Sequence, residues 1–254
     1  MEQTSFAKRR PYLFTALIVL IIVAVYLLAG TATILLRLPF PLYLIANACL
    51  ALIFAALLTG MHWWREVGFR ALPNRRTLWL YTLPFVPVLG NLIFGIKAQG
   101  WGHILTYLVL ATLVGFVEEV AFRGLILRAL APRGLWRAAI LSAILFGLAH
   151  SMNALAGSNS AYVLLQIGYA MAFGFGWAGV TLRTGVLWPL VIIHGLIDFA
   201  GFTAADQLGA TGVDTTLMVM AAAYIVAFTI YGIYMLRSIR PSAPGLGASL
   251  IDSR

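Results

Sequence analysis

The sequence predicts an all-α polytopic membrane protein, with about eight transmembrane helices around a polar active-site cavity near the bilayer middle. Three observations carry this expectation. The chain has 254 residues, of which 62% are hydrophobic and 10% charged, and its mean hydropathy is +0.95, whereas soluble domains carry roughly 25% charged residues. Its apolar runs reach the ~20 residues that a helix needs to cross ~30 Å of hydrocarbon, and they are too continuous for the alternating strands of a barrel. Finally, Lys and Arg collect in alternate loops. The single cysteine, Cys49, excludes an internal disulfide framework and a Cys-based metal finger.

The elements follow in order. Lys8, Arg9 and Arg10 precede an apolar run from Tyr12 to Leu36, which exceeds a signal-peptide core, shows no clear small-residue cleavage site and reads as a retained first helix. Further spans are expected over Pro39 to Gly60, Leu78 to Ile96, His103 to Leu127, Ala138 to Leu155, Ala161 to Leu182, Val186 to Phe202 and Thr216 to Leu236. The basic stretch from Met61 to Arg76 suits an interfacial helix on anionic lipid, and the Pro- and Gly-containing tail over 241–254 suits a mobile end. Trp63, Trp64, Trp79, Trp101, Trp136 and Trp188 fall near expected helix ends, where amphipathic rings favour the headgroup region. No repeat, linker or second domain is evident, so residues 1–254 read as one domain with a motif-bearing core over 116–200.

This arrangement puts Lys8, Arg9, Arg10, Arg65, Arg70, Arg75, Arg76, Arg128, Arg133, Arg137, Arg183, Arg237, Arg240 and Arg254 on one side and only Arg37 and Lys97 on the other. By the positive-inside rule both termini are then cytoplasmic, as in a bacterial inner-membrane protein. The net charge of +9 thereby describes orientation, and no nucleic-acid partner is needed to explain it.

Few ionisable residues remain inside the spans, where each costs at least ~2.5 to 3.5 kcal/mol and persists mainly when paired or functional. They are Glu118, Glu119 and Arg123 on the fourth span, His150 on the fifth, and His194 with Asp198 on the seventh. At ~1.5 Å per residue from the cytoplasmic ends, Glu118, His150 and His194 reach similar depths of about 15 to 20 Å. Residues four apart share a helix face, so Glu119 suits pairing with Arg123, while the adjacent Glu118 points about 100° away as a free carboxylate. His194 and Asp198 share a face in the same way. Gly147, Gly195 and Gly201 are small enough for close helix approach, and Gly174 with Gly176 suits tight packing.

A carboxylate and two imidazoles in one low-dielectric cavity support hydrolysis in two ways. Glu118 with His150 can deprotonate a water that attacks a peptide carbonyl, with His194 and Asp198 on the oxyanion side. Alternatively, Glu118, His150 and His194 can bind a catalytic Zn²⁺ that keeps one position open for water. Spacing does not choose between a zinc and a metal-independent site.

The segments Glu-Glu-Val-Ala-Phe-Arg (118–123), Phe-Gly-Leu-Ala-His (146–150) and His-Gly-Leu-Ile-Asp (194–198) resemble, in this order, the motifs of the CPBP family. That family comprises type II CAAX-processing endopeptidases and the bacteriocin-processing or Abi-like membrane proteases. The resemblance implies an eight-helix intramembrane endopeptidase acting on a membrane-embedded or lipidated peptide or protein. Glu118 and His150 would activate water, Arg123 would organise the first motif with Glu119, and His194 with its partner four residues on would stabilise the oxyanion. Family members are described both as metalloproteases and as glutamate-dependent proteases. Asp198 departs from the Asn of well-studied members, and an ionised carboxylate cannot donate a hydrogen bond to an oxyanion; orienting His194, carrying a proton itself or serving a metal are the roles it can fill.

Two other classes fit a buried polar cluster. A transporter or proton relay uses carboxylates and histidines at mid-depth, although no internal repeat is seen here. A non-catalytic immunity or scaffold protein retains such residues only for folding.

Overall fold

A computed structural model of the chain describes residues 6–38, 42–96, 100–155, 157–204 and 213–239. Lys97, Asp206, Arg240, Arg254 and the 241–254 tail lie outside the described residues. What is described is all-helical: α1 (Pro11–Leu35), α2 (Tyr43–Met61), α3 (Thr82–Leu92), α4 (Trp101–Glu119), α5 (Leu135–Ala149), α6 (Ser160–Thr184), α7 (Trp188–Thr203) and α8 (Thr215–Arg237). Among the described residues, six helical stretches are long and apolar enough to cross a membrane. The remaining two expected spans are shorter. Over 78–96 the chain forms a 3₁₀ turn (Arg75–Tyr81) and then the eleven-residue α3, which contains Pro84 and Pro87; a proline removes a helical N–H donor. Helix α7 has sixteen residues and starts with Pro189 in its first turn.

The helix ends are written in local chemistry. Pro11 opens α1, where a missing N–H costs nothing. Asn159 Oδ1 accepts from the amides of Ala161 and Tyr162 to cap α6, and Asp214 Oδ1 accepts from Leu217 N at 2.7 Å to cap α8. Helix α6 ends at Gly185, whose φ of +67° is left-handed, the conformation glycine adopts without penalty.

The Met61–Arg76 stretch does not form the expected interfacial helix. It is a folded loop that docks on the α6–α7 turn, where Leu187 N donates to Gly68 O at 3.0 Å and Arg70 Nε donates to Gly185 O at 2.8 Å. Trp63 is likewise packed inside, against Phe14, at 6.2 Å between ring centroids. Cys49 is exposed on the outer surface of α2, so it does not pack in the core.

The most extensive helix contacts are α6 with α8, α4 with α7, and α5 with α6. The α4–α7 contact positions the candidate site, and Gly115 allows it. A Cβ at Gly115 would stand 2.8 Å from both Gly195 N and Val191 O, and one at Gly195 would stand 3.3 Å from Ala111 O. Gly147 and Gly174 serve the α5–α6 contact similarly, whereas Gly201 makes only ordinary contact with Asn91. Because its obstacles are backbone atoms, Gly115→Ala must push α7 away from α4. The expected outcome is a loss of about 1 to 3 kcal/mol of stability, read as a lower melting temperature in detergent, with activity falling faster than folded protein is lost.

Candidate active site

Glu118 and Glu119 close the last turn of α4. The chain then widens into a π-helix over Val120–Ile126, which contains Arg123. Such segments are rare inside helices and recur at functional sites. All seven of its residues are buried, and Ser142 Oγ of α5 donates to the carbonyl of Phe122 at 2.8 Å.

The expected pairing of Glu119 with Arg123 is present, with Nη1 donating to Oε1 at 2.8 Å and both side chains fully buried. The same Oε1 also accepts from His194 Nδ1 at 2.8 Å. One carboxylate therefore joins the π-helix to α7. Because a carboxylate can only accept, Nδ1 carries the proton in this bond, and Nε2 is left facing outward. There it meets Glu118 Oε2 at 3.6 Å and Asp198 Oδ2 at 3.7 Å. Both separations exceed a direct hydrogen bond.

Burial separates these residues into two groups. Glu119 and Arg123 are sealed, whereas the side chains of Glu118 and Asp198 are 22% and 20% exposed. Glu118 Oε2 and Asp198 Oδ2 are the buried oxygens of these carboxylates and have no hydrogen-bond partner within the protein, which leaves both as unpaired acceptors beside His194.

His150 ends α5, and its Nδ1 lies 2.9 Å from Phe146 O. A carbonyl accepts only, so Nδ1 donates and Nε2 keeps its lone pair. The Phe146 ring carries both imidazoles, with centroids 4.9 Å from His150 and 5.9 Å from His194, and Arg123 lies over the same ring at 3.8 Å. His150 is within electrostatic range of His194, Asp198 and Arg123. Among the contacts of the described residues, none joins His150 directly to Glu118; the carboxylate approaches His194 instead.

Three further residues belong to this neighbourhood. Trp177 of α6 is buried, stands 5.3 Å from His194 and lies 5.1 Å from the Arg123 guanidinium. It is the one tryptophan of seven outside the set placed near expected span ends, and that position is the signal that marks it. Tyr26 of α1 donates to Asn47 Oδ1 of α2 at 2.9 Å and lies within electrostatic range of Glu118 and Asp198. Asn47 is a buried amide near the start of an apolar helix, a placement that itself calls for a partner.

Arg123 has five N–H donors, and its Nε and Nη2 find no partner in the protein. A cavity of about 10 Å³ borders it, lined also by Glu66, Arg128 and Thr181, with room for roughly one water. Among the described residues, no group of three or more His, Cys, Asp or Glu side chains is arranged to hold a metal ion. Of the expected zinc set of Glu118, His150 and His194, His194 Nε2 faces Glu118 Oε2 at 3.6 Å, and each histidine turns Nδ1 to an oxygen acceptor, the orientation that metal-ligating imidazoles also take.

Residues 100–200 match a family model described as Rce1-like, type II CAAX prenyl endopeptidase. That stretch contains Glu118, Glu119, Arg123, His150, His194 and Asp198, and the family is the one that the three motifs resemble. Neither a curated protein nor a solved structure matches the chain.

Proposed function

With the protease family of residues 100–200 as premise, we propose that the chain is an intramembrane endopeptidase that hydrolyses a peptide bond of a membrane-embedded or lipidated substrate, using water activated by Glu118. The observation that carries this reading is the double use of Glu119. By holding Arg123 and His194 Nδ1 at 2.8 Å each, it aims His194 Nε2 at the two partly exposed carboxylates, Glu118 and Asp198. A fixed imidazole beside an accessible carboxylate suits general acid–base chemistry.

In the proposed reaction, Glu118 takes a proton from water as its oxygen attacks the peptide carbonyl, and His150 Nε2 accepts the second water hydrogen bond. His194 Nε2, when it carries a proton, faces the developing oxyanion. Asp198 supports that proton and, as a carboxylate, does not itself donate to the oxyanion. Glu118 then returns its proton to the leaving amine, the C–N bond breaks, and the carboxylate is restored. Glu119 and Arg123 act as positioning residues. The cluster lies between α4, α5 and α7, within a fold whose described residues include six helical stretches long and apolar enough to cross a membrane.

Purified protein in detergent micelles, given a fluorogenic lipidated peptide, is expected to release the fragment C-terminal to the cut, and to do so after treatment with a strong chelator. Activity lost on chelation and restored by Zn²⁺ would overturn the side-chain mechanism. No cleavage of any lipidated or membrane-inserted peptide, together with solute flux into proteoliposomes that Glu118→Gln abolishes, would replace the protease with a transporter.

A further inference from the structure

Away from the site, α3 and α7 enclose an outward-facing apolar groove of about 480 Å³, lined by Leu78, Tyr81, Phe85, Leu89, Trp188 and Ile192 among others. Its floor is rigid. Tyr81 is buried, and its hydroxyl is 2.9 Å from both Thr184 Oγ1 and Val186 O, which ties the 3₁₀ turn to the α6–α7 connection. Its walls are exposed apolar side chains: Leu78, Phe85, Leu89 and Ile192.

One end of the groove is charged. In a 3₁₀ helix, side chains three apart eclipse one another, so Arg75, Leu78 and Tyr81 share one face of Arg75–Tyr81. Leu78 and Tyr81 line the groove, which sets Arg75 at its mouth. Arg75 is exposed, and among the described residues no acidic side chain forms an ion pair with it. Charge distribution places this end at the cytoplasmic surface. A rigid apolar slot running from a free guanidinium into the membrane matches an amphiphile with an anionic head and an apolar chain.

We propose that this groove holds one anionic phospholipid, its acyl chain between α3 and α7 and its phosphate paired with Arg75. Guanidinium pairs with phosphate in a bidentate, charge-assisted geometry, and a zwitterionic headgroup brings a compensating cation that weakens the match. Ile193 is part of the groove lining and buried, and the next residue, His194, points into the candidate site. The lipid therefore braces α7 from the side opposite its chemistry.

Native mass spectrometry of the full-length protein in detergent tests this, with phosphatidylglycerol and phosphatidylcholine of identical chains as probes. Wild type is expected to retain a single phosphatidylglycerol about tenfold more tightly than phosphatidylcholine, a difference of about 1.4 kcal/mol. Arg75→Gln, a surface change that leaves the fold intact, is expected to bind both lipids alike. Ile192→Trp, which fills the slot, is expected to bind neither. Equal retention of the two lipids by wild type, or an unchanged preference in Arg75→Gln, would overturn the proposal. So would displacement of bound phosphatidylglycerol by a lipidated peptide, which would assign the groove to substrate. None of these readouts depends on proteolysis, so the lipid site and the protease reading fail independently.

Discussion

Glu118→Gln is expected to reduce peptide cleavage by roughly 10²- to 10⁴-fold, the range that a positioned general acid or base contributes, while the protein stays folded. The amide keeps the size of the carboxylate and can still hold a water, but it cannot take a proton from it. The folding cost is small because Glu118 is partly exposed and its Oε2 has no hydrogen-bond partner in the protein, so no intramolecular bond is lost there. The kinetic signature separates this role from substrate binding. A loss confined to kcat, with KM unchanged, marks an interaction made in the transition state. If Glu118→Gln, purified as a monodisperse protein with wild-type melting behaviour, cleaves at the wild-type rate, Glu118 is not the base and the proposed mechanism fails.

Glu119→Ala and Arg123→Ala are expected to act on the fold first. Both partners are fully buried at 2.8 Å, and removing one member of such a pair leaves the other as an uncompensated buried charge, costing about 3 to 5 kcal/mol. That is a large part of the ~5 to 15 kcal/mol by which a folded domain is stable. Glu119→Ala carries a second consequence, since His194 Nδ1 loses its acceptor and the ring is no longer aimed at Glu118 and Asp198. The double variant Glu119→Leu/Arg123→Met, which removes both charges together, is expected to melt closer to wild type than either single variant and yet to remain inactive. Thermal unfolding in detergent measures the first part and the peptide assay the second. A double variant that is as active as wild type would show that this pair neither positions His194 nor serves the reaction.

Much of the fold could be read from the sequence because each span is a local property. A run of apolar residues at 1.5 Å rise per residue either reaches across the hydrocarbon or does not, and capping residues such as Asn159 and Asp214 mark their own helices. The expectation was weakest where local signals oppose one another. Residues 78–96 are apolar along their length, yet the regular helix covers only Thr82–Leu92, with Pro84 and Pro87 inside it. Residues Met61–Arg76 are basic enough for an interfacial helix, but Gly68, at a φ of +110°, and the hydrogen bond of Arg70 to Gly185 fold them onto the α6–α7 turn. The docking partner lies more than a hundred residues away, beyond any local pattern.

The same boundary runs through the candidate site. Spacing within a helix determined that Glu119 and Arg123 pair, that His194 and Asp198 share a face, and that Glu118 points elsewhere, because helical geometry fixes relations between residues four apart. The scarcity of charge also singled out these six positions, since an ionisable group inside an apolar span needs a partner or a task. Tertiary structure alone decided that Glu119 reaches His194 as well as Arg123, that Glu118 approaches His194 instead of His150, and that Phe146 packs on both imidazoles while Trp177 packs on His194. Those relations join different helices, and they depend on how closely the helices approach. That approach is set by backbone contacts such as Gly115 on Gly195, whose geometry no residue spacing along one helix encodes.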